Sequence, residues 1–276
     1  MTKEEKINTP SGLDNIHKLS IQVSLNGLSF CILDSISNSI VLSKQVEFKK
    51  DLNAYEILKE LRDLLRTYRV EDYGYSDVVV IHRNTLFSLV PKSLFDEKEL
   101  ANYMKFNIKI LANDMMAYDE IDQPELVNVY VPFMNINNYI YELFGEFDFL
   151  HNGTVLIRAL LQSQSDTKRP VCYVHVADDQ MDITVLENKK LKFYNSFYFD
   201  TKEDFIYYLL FTLEQLKLDP AHVGVHLFGS VKEGDELYKI CYEYIQNIGL
   251  FYPSNEIYGS GESEEESIDF TVLNAF

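Results

Sequence analysis

A mixed α/β fold in two lobes is predicted by three observations. The element order βββαβ occurs twice, about half a chain apart. Each copy carries a helix with one apolar face and a polar capping pair before it. Each helix is followed by a short apolar run that suits a strand buried on both faces, as in a sheet with parallel central strands.

The first copy begins after a polar segment, Met1 to Asn15. Leu19, Ile21, Val23 and Leu25 alternate with polar residues, the period of a half-buried strand. Asn26-Gly27 is a hairpin signal, because both residues tolerate positive φ, and Leu28 to Leu33 returns. Ser37-Asn38 is a second turn and Ile40 to Phe48 a third strand. Asn53 and Glu56 form a capping box ahead of a helix with Ile57, Leu58, Leu61, Leu64, Leu65 and Tyr68 on one face. Asp77 to His82 reads as the buried strand.

The second copy follows Pro170. Strands are predicted over Val171 to Ala177, Met181 to Leu186 and Leu191 to Phe199, with turns at Asp178-Asp179-Gln180 and Asn188-Lys189. Asp200 and Glu203 cap a helix carrying Phe205, Ile206, Leu209, Leu210, Leu213 and Leu216. Val223 to Phe228 is its buried strand, and a last helix from about Asp235 keeps Leu237, Ile240, Cys241, Tyr244, Ile245 and Ile248 in phase. Asn26 and Asp179 occupy matching turns, and Phe48 and Phe199 end matching strands. The pattern repeats although the residues do not, which points to a duplication.

Between the copies lies extra material. A strand is predicted in Thr85 to Leu94, a helix over Glu97 to Ile110, a strand over Val127 to Val131 and a helix over Ile136 to Phe144. A strand over Phe147 to Leu150 and a helix over Thr154 to Leu161 follow. Gln162 to Arg169 is the linker. The lobes are therefore expected at 16–165, with an insertion at about 85–144, and at 170–276. An acidic flexible stretch is expected at 259–267, and Ile268 to Leu273 as an edge strand.

The chain has 276 residues, 46% of them hydrophobic, and a formal net charge of −18. That composition is globular and excludes a disordered or fibrous chain. The acidic balance argues against nucleic acid and anionic membranes as partners, since both demand basic surface. No apolar stretch follows the N-terminus as a secretory signal would require, and no run is long enough for a membrane span. Cys31, Cys172 and Cys241 are odd in number and widely spaced, which fits buried thiols in a reducing cytoplasm.

Two segments carry a family resemblance: Phe87-Ser88-Leu89-Val90-Pro91-Lys92-Ser93-Leu94-Phe95, and Asn128-Val129-Tyr130-Val131-Pro132 with the stretch from Tyr141 to His151. Together with the repeated order they resemble a bacterial family of uncharacterised function with the actin-like ATPase fold, a pair of ribonuclease-H-like lobes. The fold is shared, more distantly, with cell-division and pilus-assembly proteins. The resemblance runs from about Leu19 to Tyr252 and implies kinship and fold, since neither segment is a chemical motif.

The resemblance also implies where a nucleotide would sit. Such proteins present a D-x-G-x-x-x-T/S turn from each lobe to the phosphates, an anion nest beside a hard cation. By that correspondence the cleft positions are Asn26, Gly27, Asp178, Asp179, Gln180, Thr184, Gly229 and Ser230. The first turn keeps Gly27 but has Leu25 at the metal-holding position and Cys31 at the hydroxyl position. The second keeps Asp178 and Thr184 but has Gln180 for the glycine. The turn from Phe228 to Gly234 keeps one glycine of the usual pair. No P-loop or dinucleotide fingerprint occurs elsewhere.

Other chemistry fares no better. His82, His175 and His226 are expected on central strands with no carboxylates beside them, and His222 and His226 would be about 13 Å apart on a strand, too far for one metal. No nucleophile elbow is present. The expectation is a non-catalytic cytoplasmic module that binds a protein, with no cofactor and no metal. The alternatives are an atypical nucleotide-binding protein or weak ATPase using ATP and Mg²⁺, and a structural protein that associates with itself.

Overall fold

The computed structural model describes residues 16–105, 114–123, 125–164, 168–177, 179–252 and 268–276. In the first lobe β1 (His17–Val23), β2 (Gly27–Asp34) and β3 (Ser39–Glu47) form an antiparallel meander, and α1 (Ala54–Thr67) leads to β4 (Tyr75–His82), which pairs parallel to β1. Asn53 and Glu56 make the reciprocal capping box, satisfying amide groups the first turn would otherwise leave free. Ile57, Leu61, Leu64 and Leu65 are the buried face of α1, packed on Leu19, Ile21, Phe30 and Val80.

After β4 the chain builds a separate three-stranded antiparallel sheet from β5 (Phe87–Pro91), β6 (Ala117–Ile121) and β7 (Leu126–Tyr130), in the order β5-β7-β6. The short helix α2 (Leu100–Met104) covers it through Met104. The chain then returns through α3 (Met134–Phe144), which packs against α1, and β8 (Asp148–His151), which pairs parallel to β4. Helix α4 (Asn152–Ser163) passes to the second lobe.

There β9 (Val171–Ala177), β10 (Gln180–Glu187) and β11 (Lys190–Tyr198) form the meander, α5 (Lys202–Gln215) follows, and β12 (Gly224–Gly229) pairs parallel to β9. Helix α6 (Glu236–Tyr244) precedes β13 (Asn247–Leu250), parallel to β12. A helical turn, α7 (Phe270–Leu273), packs back on the first lobe.

The two main sheets repeat one order, β3-β2-β1-β4-β8 and β11-β10-β9-β12-β13. The likeness reaches single hydrogen bonds. Phe48 N–H donates to the Asn26 carbonyl at 2.7 Å, and Phe199 N–H donates to the Asp179 carbonyl at 2.8 Å. In each lobe the residue after the third strand thus ties down the first hairpin turn.

Several expectations are corrected. The α5 capping box uses Thr201 and Asp204, one residue later than Asp200 and Glu203. The apolar phase ending at Ile248 belongs to two elements, since α6 stops at Tyr244 and Ile248 lies in β13. Strand β6 was not foreseen, because Ala-Tyr-Asp-Glu-Ile carries two acidic residues and is buried through Asp119 and Ile121. Of the helix expected over Glu97 to Ile110, the described part is a 3₁₀ turn at Glu97–Glu99 followed by α2; the rest, within residues 106–113, lies outside the described residues. Ile268 to Leu273 is no edge strand but the buried turn α7. The acidic stretch 259–267 also lies outside the described residues. No described helix is long and apolar enough to cross a membrane.

Candidate functional site

The facing ends of the two lobes meet around one buried ion pair. Arg83 follows β4, anchored by its N–H to the Val23 carbonyl at 2.9 Å. Its Nη2 donates to Asp182 Oδ2 on β10 at 2.9 Å, and the two side chains are 2% and 0% exposed. His175 on β9 places Nδ1 3.4 Å from both Arg83 Nη1 and Asp182 Oδ2. The other carboxylate oxygen accepts from Tyr194 OH at 3.1 Å, from Ser196 Oγ and from Asn152 Nδ2 at 3.4 Å. Burial opposes the Asp182 charge, but the Arg83 guanidinium and the hydrogen bonds from His175 and Ser196 outweigh it and hold the carboxyl well below its usual range. The group is a lock between lobes, because its members come from the end of β4, the N-terminus of α4 and three strands of the second sheet.

A second buried carboxylate ties in the inserted sheet. Asp119 on β6 accepts from His151 N–H at 2.8 Å, Thr154 Oγ1 at 2.7 Å and Tyr130 OH at 3.0 Å. It faces the N-terminus of α4, where free amides and the helix dipole favour negative charge. Burial nonetheless pushes its pKa up to about 6. Nearby, His82 Nε2 is 2.9 Å from Asn137 Oδ1 and Nδ1 accepts from Phe133 N–H at 3.2 Å, which fixes a neutral tautomer. Burial pulls His82 down to about 3 and His151 down to about 4.

The residues expected around a nucleotide are divided by the structure. Asn26 Nδ2 donates to Asp179 Oδ1 at 2.6 Å, so the matching turns of the two lobes touch directly. Asn26 and Gly27 border a void of only about 20 Å³, shared with Ser24, Ser29 and Arg83. Gln180 is buried and spans Arg83 Nε at 3.5 Å and Ser196 Oγ at 3.3 Å. Thr184 is buried in mid-strand between β9 and β11. Asp178 lies outside the described residues. Gly229 and Ser230 line a different space, a cleft of about 540 Å³.

Gly229 is fixed there by geometry. Its φ is +89°, and a Cβ would lie 2.2 Å from the Val176 carbonyl oxygen and 2.9 Å from His175 Cδ2. The cleft floor beside it is aromatic: Phe228 packs against Phe270 at 5.0 Å, Phe251 at 5.4 Å and His175 at 4.9 Å between ring centroids.

Helix α7 touches both lobes. Ser20 Oγ donates to the Val272 carbonyl at 2.5 Å, Gln22 Nε2 donates to Asp269 Oδ2 at 2.6 Å, and Thr271 Oγ1 donates to Gln22 Oε1. Phe270 meanwhile sits in the aromatic floor of the second lobe. The C-terminal turn therefore bonds to one lobe and packs on the other.

Sequence reasoning missed the lock. His175 has its carboxylate partner, Asp182, seven positions away on the antiparallel neighbour, directly opposite in register. The signal was Asp182 inside the strand predicted over Met181 to Leu186; it falls within β10 and is fully buried, and Arg83, 99 residues earlier, is the charge that makes its burial tolerable. Burial pushes the Cys31 and Cys241 thiols up to about 12, and Cys172 rises as well. Among the described residues no group of three metal-ligating side chains converges.

Among solved structures, the chain is similar to a protein from Bacteroides thetaiotaomicron VPI-5482 described as having an actin-like ATPase fold and unknown function. The identity is 23% and the TM-score 0.77, over 88% of this chain and 93% of that one. It is also similar to a chain of the PilM-PilN type IV pilus biogenesis complex, at 12% identity and a TM-score of 0.52, over 87% and 89% of the two chains. No curated protein matches it. These likenesses agree with the two sheets described above: the fold is that of the actin-like ATPases. Residues 13–248 match the model of the protein family of unknown function DUF3822, and the chain belongs to that family.

Proposed function

We propose that this protein works by binding a protein partner and that it does not turn over nucleotide. The observation that carries the reading is the 2.6 Å hydrogen bond between Asn26 and Asp179. A triphosphate in this fold would need the room between those turns, which that hydrogen bond spans, and the void beside Asn26 and Gly27 holds about 20 Å³, the space of a single water. Leu25 and Gln180 stand where a metal-holding carboxylate and a close-approach glycine would serve. The lock at Arg83 and the bonds of α7 to β1 resist the opening that admission of phosphates would demand. That a protein of the same fold occurs in a complex with PilN is compatible with a partner-binding role.

Thermal unfolding with Mg²⁺ and millimolar ATP, ADP or GTP tests the reading. A ligand of the native state must raise the midpoint. No shift with any of them is expected; a shift that Asp179→Ala abolishes would overturn the proposal.

The second reading is a nucleotide-binding protein, favoured by one observation, the cleft of about 540 Å³ beside Gly229 and Ser230. It predicts a shift that Ser230→Tyr, which fills that cleft, removes.

A further inference from the structure

Helix α5 departs from its counterpart α1 where the fold does not require it. Both helices are 14 residues long, and both open on a capping box, Asn53 with Glu56 and Thr201 with Asp204. The caps align the two helices residue by residue. The sixth and tenth residues after the cap are Lys59 and Asp63 in α1, and Tyr207 and Phe211 in α5. All four are exposed, on the side away from the buried face of their helix. Tyr207 is 60% and Phe211 43% exposed. A pair of charges serves that place in α1, so the needs of the fold do not account for the rings in α5. The rings end a packed series that starts at the sheet. Phe197 on β11 stacks on Tyr208 at 5.0 Å between centroids, Tyr208 meets Tyr207 edge-on at 5.5 Å, and Tyr207 stacks on Phe211 at 6.0 Å. Exposed rings held in this way lose little conformational freedom on docking, which is why tyrosine and phenylalanine are favoured at protein interfaces.

Charge says what docks there. Glu203 lies four residues before Tyr207 and Glu214 three after Phe211, so both flank the rings on the same outward face, and both are exposed. A guanidinium or ammonium is attracted by the ring faces as well as by the two carboxylates. Nucleic acid could also stack on the rings, but a chain of net charge −18 repels its phosphates. A second copy is disfavoured too, since α5 laid along α5 in either direction sets Glu203 and Glu214 against like charges. We infer that the outward face of α5 docks a segment of a partner protein that carries apolar side chains beside lysine or arginine. The inference rests on the protein-binding reading and supplies the surface and the chemistry of the partner. Apolar side chains would cover Tyr207 and Phe211, and basic groups would meet Glu203 and Glu214.

Selection from a random peptide display library against the full-length protein tests it, beside a variant that gives α5 the residues of α1, Tyr207→Lys/Phe211→Asp. The enriched sequences should carry lysine or arginine next to aliphatic or aromatic residues. The best of them, synthesised and labelled, should bind at least tenfold more weakly to that variant. It should also bind several-fold more weakly to Glu203→Gln/Glu214→Gln, which keeps the rings, and weaken as salt is raised. The ring variant should unfold at the urea midpoint of the wild type, because α1 carries the same pair at the same place. A clearly lower midpoint would mean that the rings serve the fold and would overturn the inference. No enrichment, enrichment of acidic or uncharged peptides, or undiminished binding to either variant would overturn it as well. So would a dimer in sedimentation that the ring variant abolishes, since the occupant would then be a second copy. Nucleotide-dependent stabilisation would refute the protein-binding reading itself; failure of the selection with nucleotides silent would refute the inference alone.

Discussion

Asp182 carries a full charge at 0% exposure, and the molecule tolerates it because Arg83 reaches it from the other lobe at 2.9 Å. Removing one partner of such a pair leaves the other unpaired in low dielectric, at a cost of about 3–5 kcal/mol. Arg83→Met should lower unfolding stability in urea by that amount, and Arg83→Met/Asp182→Asn should recover part of it; a cost below about 1 kcal/mol would refute the lock. Gly229→Ala combines a positive φ with a collision against the Val176 carbonyl, so it should unfold at lower denaturant than wild type. The titrating groups give a pH signature. His82 and His151 stay neutral when folded, down to about 3 and 4, while the unfolded imidazoles charge near the usual 6.5; stability therefore falls as pH drops below 6.5. Asp119 acts in the opposite sense. Its folded pKa is raised to about 6, so its contribution is full below 3.8 and is lost as pH rises through 6. Asp119→Asn removes that offset, and its stability should fall more steeply than wild type between pH 7 and 5, by about 1–2 kcal/mol at pH 5; parallel profiles would contradict it. An Asn can still accept at Oδ1 from His151 and Thr154 and donate to Tyr130, so the substitution need not orphan those groups.

At the scale of elements, sequence legibility followed periodicity. The meanders, α1, α5 and the parallel strands have unbroken patterns of apolar residues, and they occupy the predicted places to within a residue or two at most ends. Two of the misses, β6 and α7, are elements whose pattern is set by distant partners. Strand β6 turns an aspartate inward because the N-terminus of α4 meets it. Helix α7 is only four residues long and has no period to read; its burial comes from Ser20 and Gln22, about 250 positions earlier in the chain. That helix should matter more than its length suggests. Phe270 is 5% exposed in the aromatic floor, and Phe270→Ala should cost about 3–5 kcal/mol, read by chemical denaturation. A loss under about 1 kcal/mol would mean that the C-terminal turn is not a structural bridge between the lobes.

For the whole molecule, the fold was legible and the site only in part. The matching order of two sheets follows from local patterns that repeat, down to the equivalent bonds of Phe48 and Phe199 to their hairpin turns. The departures at Leu25, Cys31 and Gln180 were visible in the sequence because they break a spaced motif. The direct contact of the two turns, the Arg83 lock and the aromatic cleft were not, since each arises only when the lobes face one another. Together they support the proposal that no nucleotide occupies the phosphate position in this actin-like ATPase fold. Equilibrium dialysis of the purified protein against labelled ATP with Mg²⁺ tests that claim most directly. The account predicts no retention of label above that of a control protein; one molecule of ATP held per chain, displaced by unlabelled ATP, would contradict it.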